Sequence, residues 1–211
     1  MTTLRASETS FIVAVQGTRV ARTLVPAGKA LSFFGEHAAG WILLGLLGAG
    51  IDWSHAGAWL LSVLAVIVAH GLSVVIKRVV RRPRPGATVG ADGKFDAGKG
   101  GYPVTAGGRV DARGSAETGE QRASGAVASA VKVYASAPSK LSFPSSHASS
   151  TMAACIVYTA FFPWLWPVAV VVALAMGFSR VILGMHFVTD VLAGYAIGLI
   201  VGVPTILLLH G

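Results

Sequence analysis

Residues 56–76 read AGAWLLSVLAVIVAHGLSVVI, and Lys77 and Arg78 follow at once. The run carries no formal charge and matches the roughly 20 apolar residues that a helix needs to cross a bilayer. Four similar runs lie on either side of it. Residues 31–51 (LSFFGEHAAGWILLGLLGAGI) form one, interrupted near its start by Glu36 and His37; 145–162, 165–183 and 187–209 are the others. The whole chain agrees with this reading. Of its 211 residues, 54% are hydrophobic and 12% charged, whereas a soluble domain carries about a quarter charged residues. The expected fold is therefore all-α: a polytopic helical membrane bundle of about five transmembrane helices plus an N-terminal amphipathic helix.

That N-terminal part, 1–30, holds Phe11, Ile12, Val15, Val20 and Leu24 partly on one helical face, with Arg19 and Arg22 elsewhere. It reads as an interfacial helix; the apolar stretch from Phe11 to Val15 is too short for the core of a secretory signal. Residues 31–211 make the membrane domain. Within it, 86–140 is polar and rich in Gly, Ala and Ser, and is expected to be a flexible loop between the second and third spans, with a short helix near 123–135. Gly40, Gly45 and Gly48, and the Gly194/Gly198 pair, are small residues at which helices can approach closely. The single cysteine, Cys155, excludes an internal disulfide and a site built on several thiolates.

The net charge is +8. In a membrane chain such a balance marks the cytoplasmic side and anionic lipid rather than nucleic acid, so no nucleic-acid partner is expected. Five spans place the N-terminus, the 86–140 loop and the turn near 184–186 on one face. All 17 Lys and Arg fall there or at its membrane border. The positive-inside rule puts that face in the cytoplasm. Setting aside Lys77, Arg84 and Arg180 does not change the asymmetry.

Three short stretches on this face carry chemistry. Lys77–Pro85 reads KRVVRRPRP, Phe143–Ser150 reads FPSSHASS and Ser179–Asp190 reads SRVILGMHFVTD. Three cations from separate segments, Lys77, Arg84 and Arg180, would repel one another without an anion among them. Arginine forks match phosphate oxygens, and lysine adds a point charge. Pro144 and Ser145 open a helix whose first N–H groups, near Ser145, Ser146 and His147, suit an anion. His186 and Asp190 stand four apart, on one face of a helix. Arg78, Arg81 and Arg82 read as a stop-transfer cluster for lipid head groups, and His70 as a satisfied interhelical histidine.

The three stretches follow the pattern K-x6-R-P, P-S-x-H and S-R-x5-H-x3-D. In order and at one membrane face, they resemble the type-2 phosphatidic acid phosphatase family of membrane lipid phosphatases. The resemblance spans about 77–190. It implies that His186 is the nucleophile and forms a phosphohistidine, with Asp190 orienting it. It implies that His147 protonates the leaving oxygen and later activates water, while Lys77, Arg84, Ser145, Ser146 and Arg180 hold the phosphate. Ser146 stands where the family usually has glycine. The resemblance implies no metal and no cofactor; Asp190 is the only carboxylate within the motifs. Glu36 and His37 are candidate contacts to a polar head group.

The stretches GEHAAGWI (35–42), KRVVRRPRP (77–85), SAPSKLSFPSSHASST (136–151) and SRVILGMHFVTDV (179–191) are similar to one actinobacterial branch of this family. That branch acts on decaprenylphosphoryl-5-phosphoribose in cell-wall arabinan precursor synthesis. The expected partners are thus a membrane lipid substrate and the bilayer. Undecaprenyl pyrophosphate, phosphatidylglycerol phosphate and phosphatidic acid are alternative substrates. A non-catalytic scaffold or transporter subunit is the alternative of another class, although no internal repeat of the transporter kind is visible. The sequence carries no signal for an oligomeric state.

Overall fold

The computed structural model describes residues 2–86, 88–89, 95–96, 130–135 and 139–210. Seven α-helices account for most of them: α1 (Thr2–Gly17), α2 (Arg19–Phe34), α3 (Ala39–Ile51), α4 (Ala56–Val80), α5 (Ser146–Thr159), α6 (Trp166–Ile182) and α7 (Val188–His210). Two-residue strands at Thr88–Val89 and Phe95–Asp96 pair antiparallel. Most of the expected 86–140 loop, and most of the expected helix near 123–135, lies outside the described residues. The part that is described, 130–135, is non-helical.

The packing is that of a chain surrounded by lipid. Leu60, Leu64, Ile67, Val68, Leu72, Val75 and Val79 of α4 face outward, while Ser62, Ala65, Val66, Ala69, Ser73 and Lys77 face inward. The core is accordingly small-residued: Ala38, Ala65, Val66, Ala69, Ala153, Ala154 and Val157 cluster with Trp41 and Ile197. Lipid tails are as apolar as leucine, so close packing of small side chains and buried hydroxyl bonds hold the helices together. Ser73 Oγ donates to Ser149 Oγ at 2.7 Å, and Trp41 Nε1 to Thr151 Oγ1 at 3.0 Å.

Three helical segments are long and apolar enough to cross a membrane: Trp53–Val80, Pro163–Ile182 and Val188–Leu209. The expected first span is broken. α2 and the stretch Glu36–Ile51 meet at a 48° bend and together would make a fourth crossing. The break falls at Gly35–Ala38, where His37 (φ 52°) and Ala38 (φ 60°) take left-handed backbone conformations that no helix continues through. The expected third span is the 14-residue helix α5, about 21 Å long at 1.5 Å per residue. Its Ser149, Ser150, Thr151, Ala153 and Ala154 are buried by its neighbours.

α5 lies closest to α7, and glycine sets that distance. A Cβ at Gly194 would stand 2.5 Å from Ser145 O, and one at Gly198 2.7 Å from Ser149 O. The Gly194/Gly198 pair therefore belongs to a helix contact. Gly45 and Gly48 similarly receive Val63 and Trp59 of α4, whereas the atoms nearest a Cβ at Gly40 belong to Phe34.

The N-terminal segment is two helices rather than one, separated at Thr18, which caps α2 by accepting from Ala21 N. α1 buries Ile12 against Val131, Val181 and Phe187. Its Gln16 amide donates to Lys132 O and Ile182 O and accepts from Lys132 N. Tyr134 N donates to Leu183 O. Residues 131–134 are thereby held against the α6–α7 turn.

Candidate active site

All three motif stretches end at the same end of the bundle. α4 delivers Lys77 there and then stops at Arg81, whose φ of 51° turns the chain out of the helix. The turn leaves Arg78 and Arg81 exposed and sends Arg82 and Arg84 inward. Arg84 Nε donates to Ser139 O at 2.9 Å and its NH1 to Met185 O at 2.9 Å. Burial lowers Arg84 to about 10, which still leaves it cationic at neutral pH.

Ser145 caps α5, its Oγ accepting from Ala148 N. Its own N–H is not open to a ligand, because it donates to Asp190 O at 2.9 Å. Of the N–H groups expected to receive an anion, those of Ser146 and His147 remain without a partner among the described residues. His147 Nε2 bonds Ser32 O at 3.1 Å. A carbonyl only accepts, so Nε2 carries the proton and Nδ1 is the open nitrogen.

α6 brings in Arg180, 2% exposed. Its NH1 donates to Ser32 Oγ at 2.6 Å, while its buried Nε has no partner among the described residues. The turn after α6 carries His186, 1% exposed. Burial holds its imidazole well below the ordinary range, and the cations Arg84, Arg180 and Lys77 push the same way, with His147 adding to them. His186 Nδ1 lies 3.7 Å from Asp190 Oδ2, too far for a hydrogen bond, and is otherwise unpartnered among the described residues. The structure thus gathers Lys77, Arg84, Ser145, Ser146, His147, Arg180, His186 and Asp190 at one place.

Glu36 and His37 are exposed at the α2–α3 break. Glu36 is within electrostatic reach of Arg180. The His37 ring centroid lies 6.3 Å from that of His70. His70 is not the satisfied interhelical residue expected, since its buried Nδ1 has no partner among the described residues.

Arg82 corrects a second expectation. It is not a lipid-facing cation: its guanidinium pairs with Glu8 at 2.7 Å and Asp190 at 2.8 Å. Burial works to raise the Glu8 carboxyl, but bonds from Thr189 and Arg82 outweigh it and hold the group below its usual value. Ser32 and Glu8 both escaped the sequence reading. Each lies in a helix N-terminal to the motifs, with no local pattern to mark it. Arg82 was masked by its place in a basic run.

Buried cations and histidines gather on adjoining helix ends of an apolar bundle, a set of groups that suits a phosphate. Residues 58–210 match the PAP2 superfamily, and the chain belongs to that family: it is a membrane lipid phosphatase, a phosphoric monoester hydrolase. It is 34% identical over 196 residues to the decaprenylphosphoryl-5-phosphoribose phosphatase of Mycobacterium tuberculosis, an alignment covering 92% of this chain and 86% of that one. The enzyme so named from Mycolicibacterium smegmatis is 34% identical over 188 residues, covering 89% and 81%. A crystal structure of a transmembrane PAP2-type phosphatidylglycerolphosphate phosphatase from Bacillus subtilis aligns with 97% of this chain and 93% of its own, at 22% identity and a TM-score of 0.45.

Proposed function

We propose that this phosphatase removes the 5-phosphate of decaprenylphosphoryl-5-phosphoribose through a phosphohistidine on His186, without a metal. The observation that carries the chemistry is the buried His186 beside Asp190, ringed by Lys77, Arg84 and Arg180. The similarity to the two mycobacterial enzymes over most of their length supports the substrate.

In this reading the lipid phosphate enters among the three cations. Arg180 Nε and the N–H groups of Ser146 and His147 receive its oxygens, and Arg84 contributes the NH2 left after its backbone bonds. His186 Nδ1–H closes on Asp190 Oδ2, since such bonds tighten in the reactive complex. The Nε2 lone pair attacks phosphorus, and the bond to the ribose oxygen breaks. His147, protonated at Nδ1 as well as Nε2 once the anionic phosphate is bound beside it, gives that oxygen its proton from Nδ1, then takes one back from the water that attacks the phosphohistidine. Inorganic phosphate leaves, and both histidines return to their starting states. Donors already in place cost no reorganisation as charge shifts in the transition state.

Glu36 and His37, at the break between α2 and α3, contact the ribosyl head group. Residues 31–211 carry the motif residues, in the bacterial inner membrane. The site faces the cytoplasm, in line with the basic residues gathered on its face.

The test is phosphate release by purified protein in detergent with EDTA, wild type against His186→Ala. Decaprenylphosphoryl-5-phosphoribose, undecaprenyl pyrophosphate, phosphatidylglycerol phosphate and phosphatidic acid are offered side by side. The proposal expects release from the ribosyl lipid that the variant has lost by at least about 1,000-fold. Preference for another lipid overturns the substrate. Release abolished by EDTA overturns the metal-free chemistry.

A further inference from the structure

Helix α7 begins without a side chain able to cap it. Val188 is its first residue, so Phe187 stands at the cap position and offers no acceptor to the first-turn N–H groups. Two carboxylates supply what is missing. Asp190 reaches back so that its Oδ2 accepts from Phe187 N at 2.8 Å, the backward half of a capping box. The second carboxylate comes from α1: Glu8 Oε1 accepts from Thr189 N at 2.9 Å and from Thr189 Oγ1 at 2.8 Å.

Arg82 joins the two. Its NH2 donates to Glu8 Oε2 at 2.7 Å, and its NH1 to Asp190 Oδ1 at 2.8 Å and Thr189 Oγ1 at 2.6 Å. The guanidinium carbon sits 4.2 Å above the centre of the Phe187 ring. Each edge of the fork therefore holds a different carboxylate. Asp190 is fixed through both oxygens, with His186 Nδ1 3.7 Å beyond. Buried ion networks are poor stabilisers, because desolvation offsets most of their attraction. This one instead fixes a geometry, and it presents one net negative charge to an imidazole that becomes cationic or phosphorylated.

We infer that Glu8 and Arg82 are positioning residues for the phosphatase reaction: Glu8 steers the Arg82 fork, and the fork sets where the Asp190 carboxylate meets His186. The inference rests on the phosphohistidine reading above. It makes the N-terminal helix part of the catalytic apparatus, and it explains why one arginine of the basic run turns inward while Arg81 does not.

The test uses the full chain in detergent and the lipid that gives His186-dependent release. Turnover, melting temperature and pH profile are compared for wild type, Glu8→Gln, Arg82→Lys, the double variant and His186→Ala. Glutamine keeps the size of Glu8 but turns a donor toward Arg82; lysine keeps the charge but loses the fork. Each single change is expected to lower kcat about 10- to 100-fold through misplacement of the reacting groups, with KM little changed. The double variant is expected to be no slower than the worse single, because both changes break one connection.

Glu8→Gln also removes a negative charge behind Arg82. The acid limb of kcat/KM should therefore move to lower pH. The other charged groups facing His186, namely Lys77, Arg84, His147 and Arg180, are untouched. Wild-type kcat in either single variant overturns the inference. So do losses that multiply in the double variant, or losses that track melting temperature with an unmoved pH profile. If Arg82→Lys does not fold, Glu8→Gln alone gives the kcat and pH readouts. A wild type lacking His186-dependent turnover sinks the phosphohistidine reading and this inference with it. Failure of the inference alone leaves wild type and His186→Ala far apart.

Discussion

His186 does its proposed work as a neutral imidazole. An ordinary histidine titrates near 6.5, but burial and the surrounding cations depress this one. A base with a depressed pKa keeps its neutral form to lower pH and loses it only as pH falls through the lowered value. The acid limb of kcat/KM should thus lie below about pH 6.5, once the lipid phosphate's own ionisation near pH 6 is divided out. A limb above pH 7 would contradict the electrostatics described. Arg180 is the cation with the most to lose from a conservative change. Its Nε is buried and unpartnered among the described residues, and NH1 is spent on Ser32. Arg180→Lys should cost about 100- to 1,000-fold in kcat, as for loss of a preorganised donor; steady-state kinetics check this. The motif residues were legible because their spacing is short and rigid: three to six residues inside a helix or turn already place His186 with Asp190 and Lys77 with Arg84. Ser32 and Glu8 were not, since their partners lie 74 to 181 residues away in the chain and only the tertiary fold brings them together.

The helices show the same division. α4, α6 and α7 could be read from apolar length alone, because a spanning helix must satisfy its own backbone. The first expected span could not be placed correctly. Its apolar content runs on through Gly35–Ala38, and the left-handed turn there rests on His37 and Ala38, residues that do not advertise it. α5 falls within the expected run 145–162, but it is a short helix of 14 residues. Its serines and threonines are buried by other helices, so its hydropathy says little about depth. The α5–α7 contact yields a stability prediction. Gly198→Ala forces a Cβ against Met152, Ser149 O and Ala153 N, whereas Gly50→Ala meets nothing within 4 Å. In detergent melts, Gly198→Ala should lower stability by about 1–3 kcal/mol through overpacking. Gly50→Ala should leave it unchanged or raise it by up to about 1 kcal/mol through helix propensity. Equal effects at both positions would mean that the two helices do not touch as described.

The whole molecule is sided. Among the described residues, Lys77, Arg82, Arg84, Lys132 and Arg180 lie at the end that carries the site. The opposite end shows Trp53, Trp164 and Trp166 exposed, as at a membrane interface. The proposed cytoplasmic orientation can be tested with the native cysteine removed. In a Cys155→Ala background, Ser54→Cys should react with an impermeant thiol reagent on intact cells. Arg81→Cys should react only after permeabilisation. The reverse pattern would place the site outside and contradict the positive-inside reading.

The central claim is that His186 itself takes the phosphate. It is tested most directly by mixing the protein with decaprenylphosphoryl-5-phosphoribose radiolabelled at the 5-phosphate, in EDTA, and quenching within a turnover into alkali, where phosphohistidine survives. The account predicts label bound to wild-type protein, stable to base and lost in acid, and none on His186→Ala. Phosphate release with no labelled protein at any time, or label retained on His186→Ala, would contradict it.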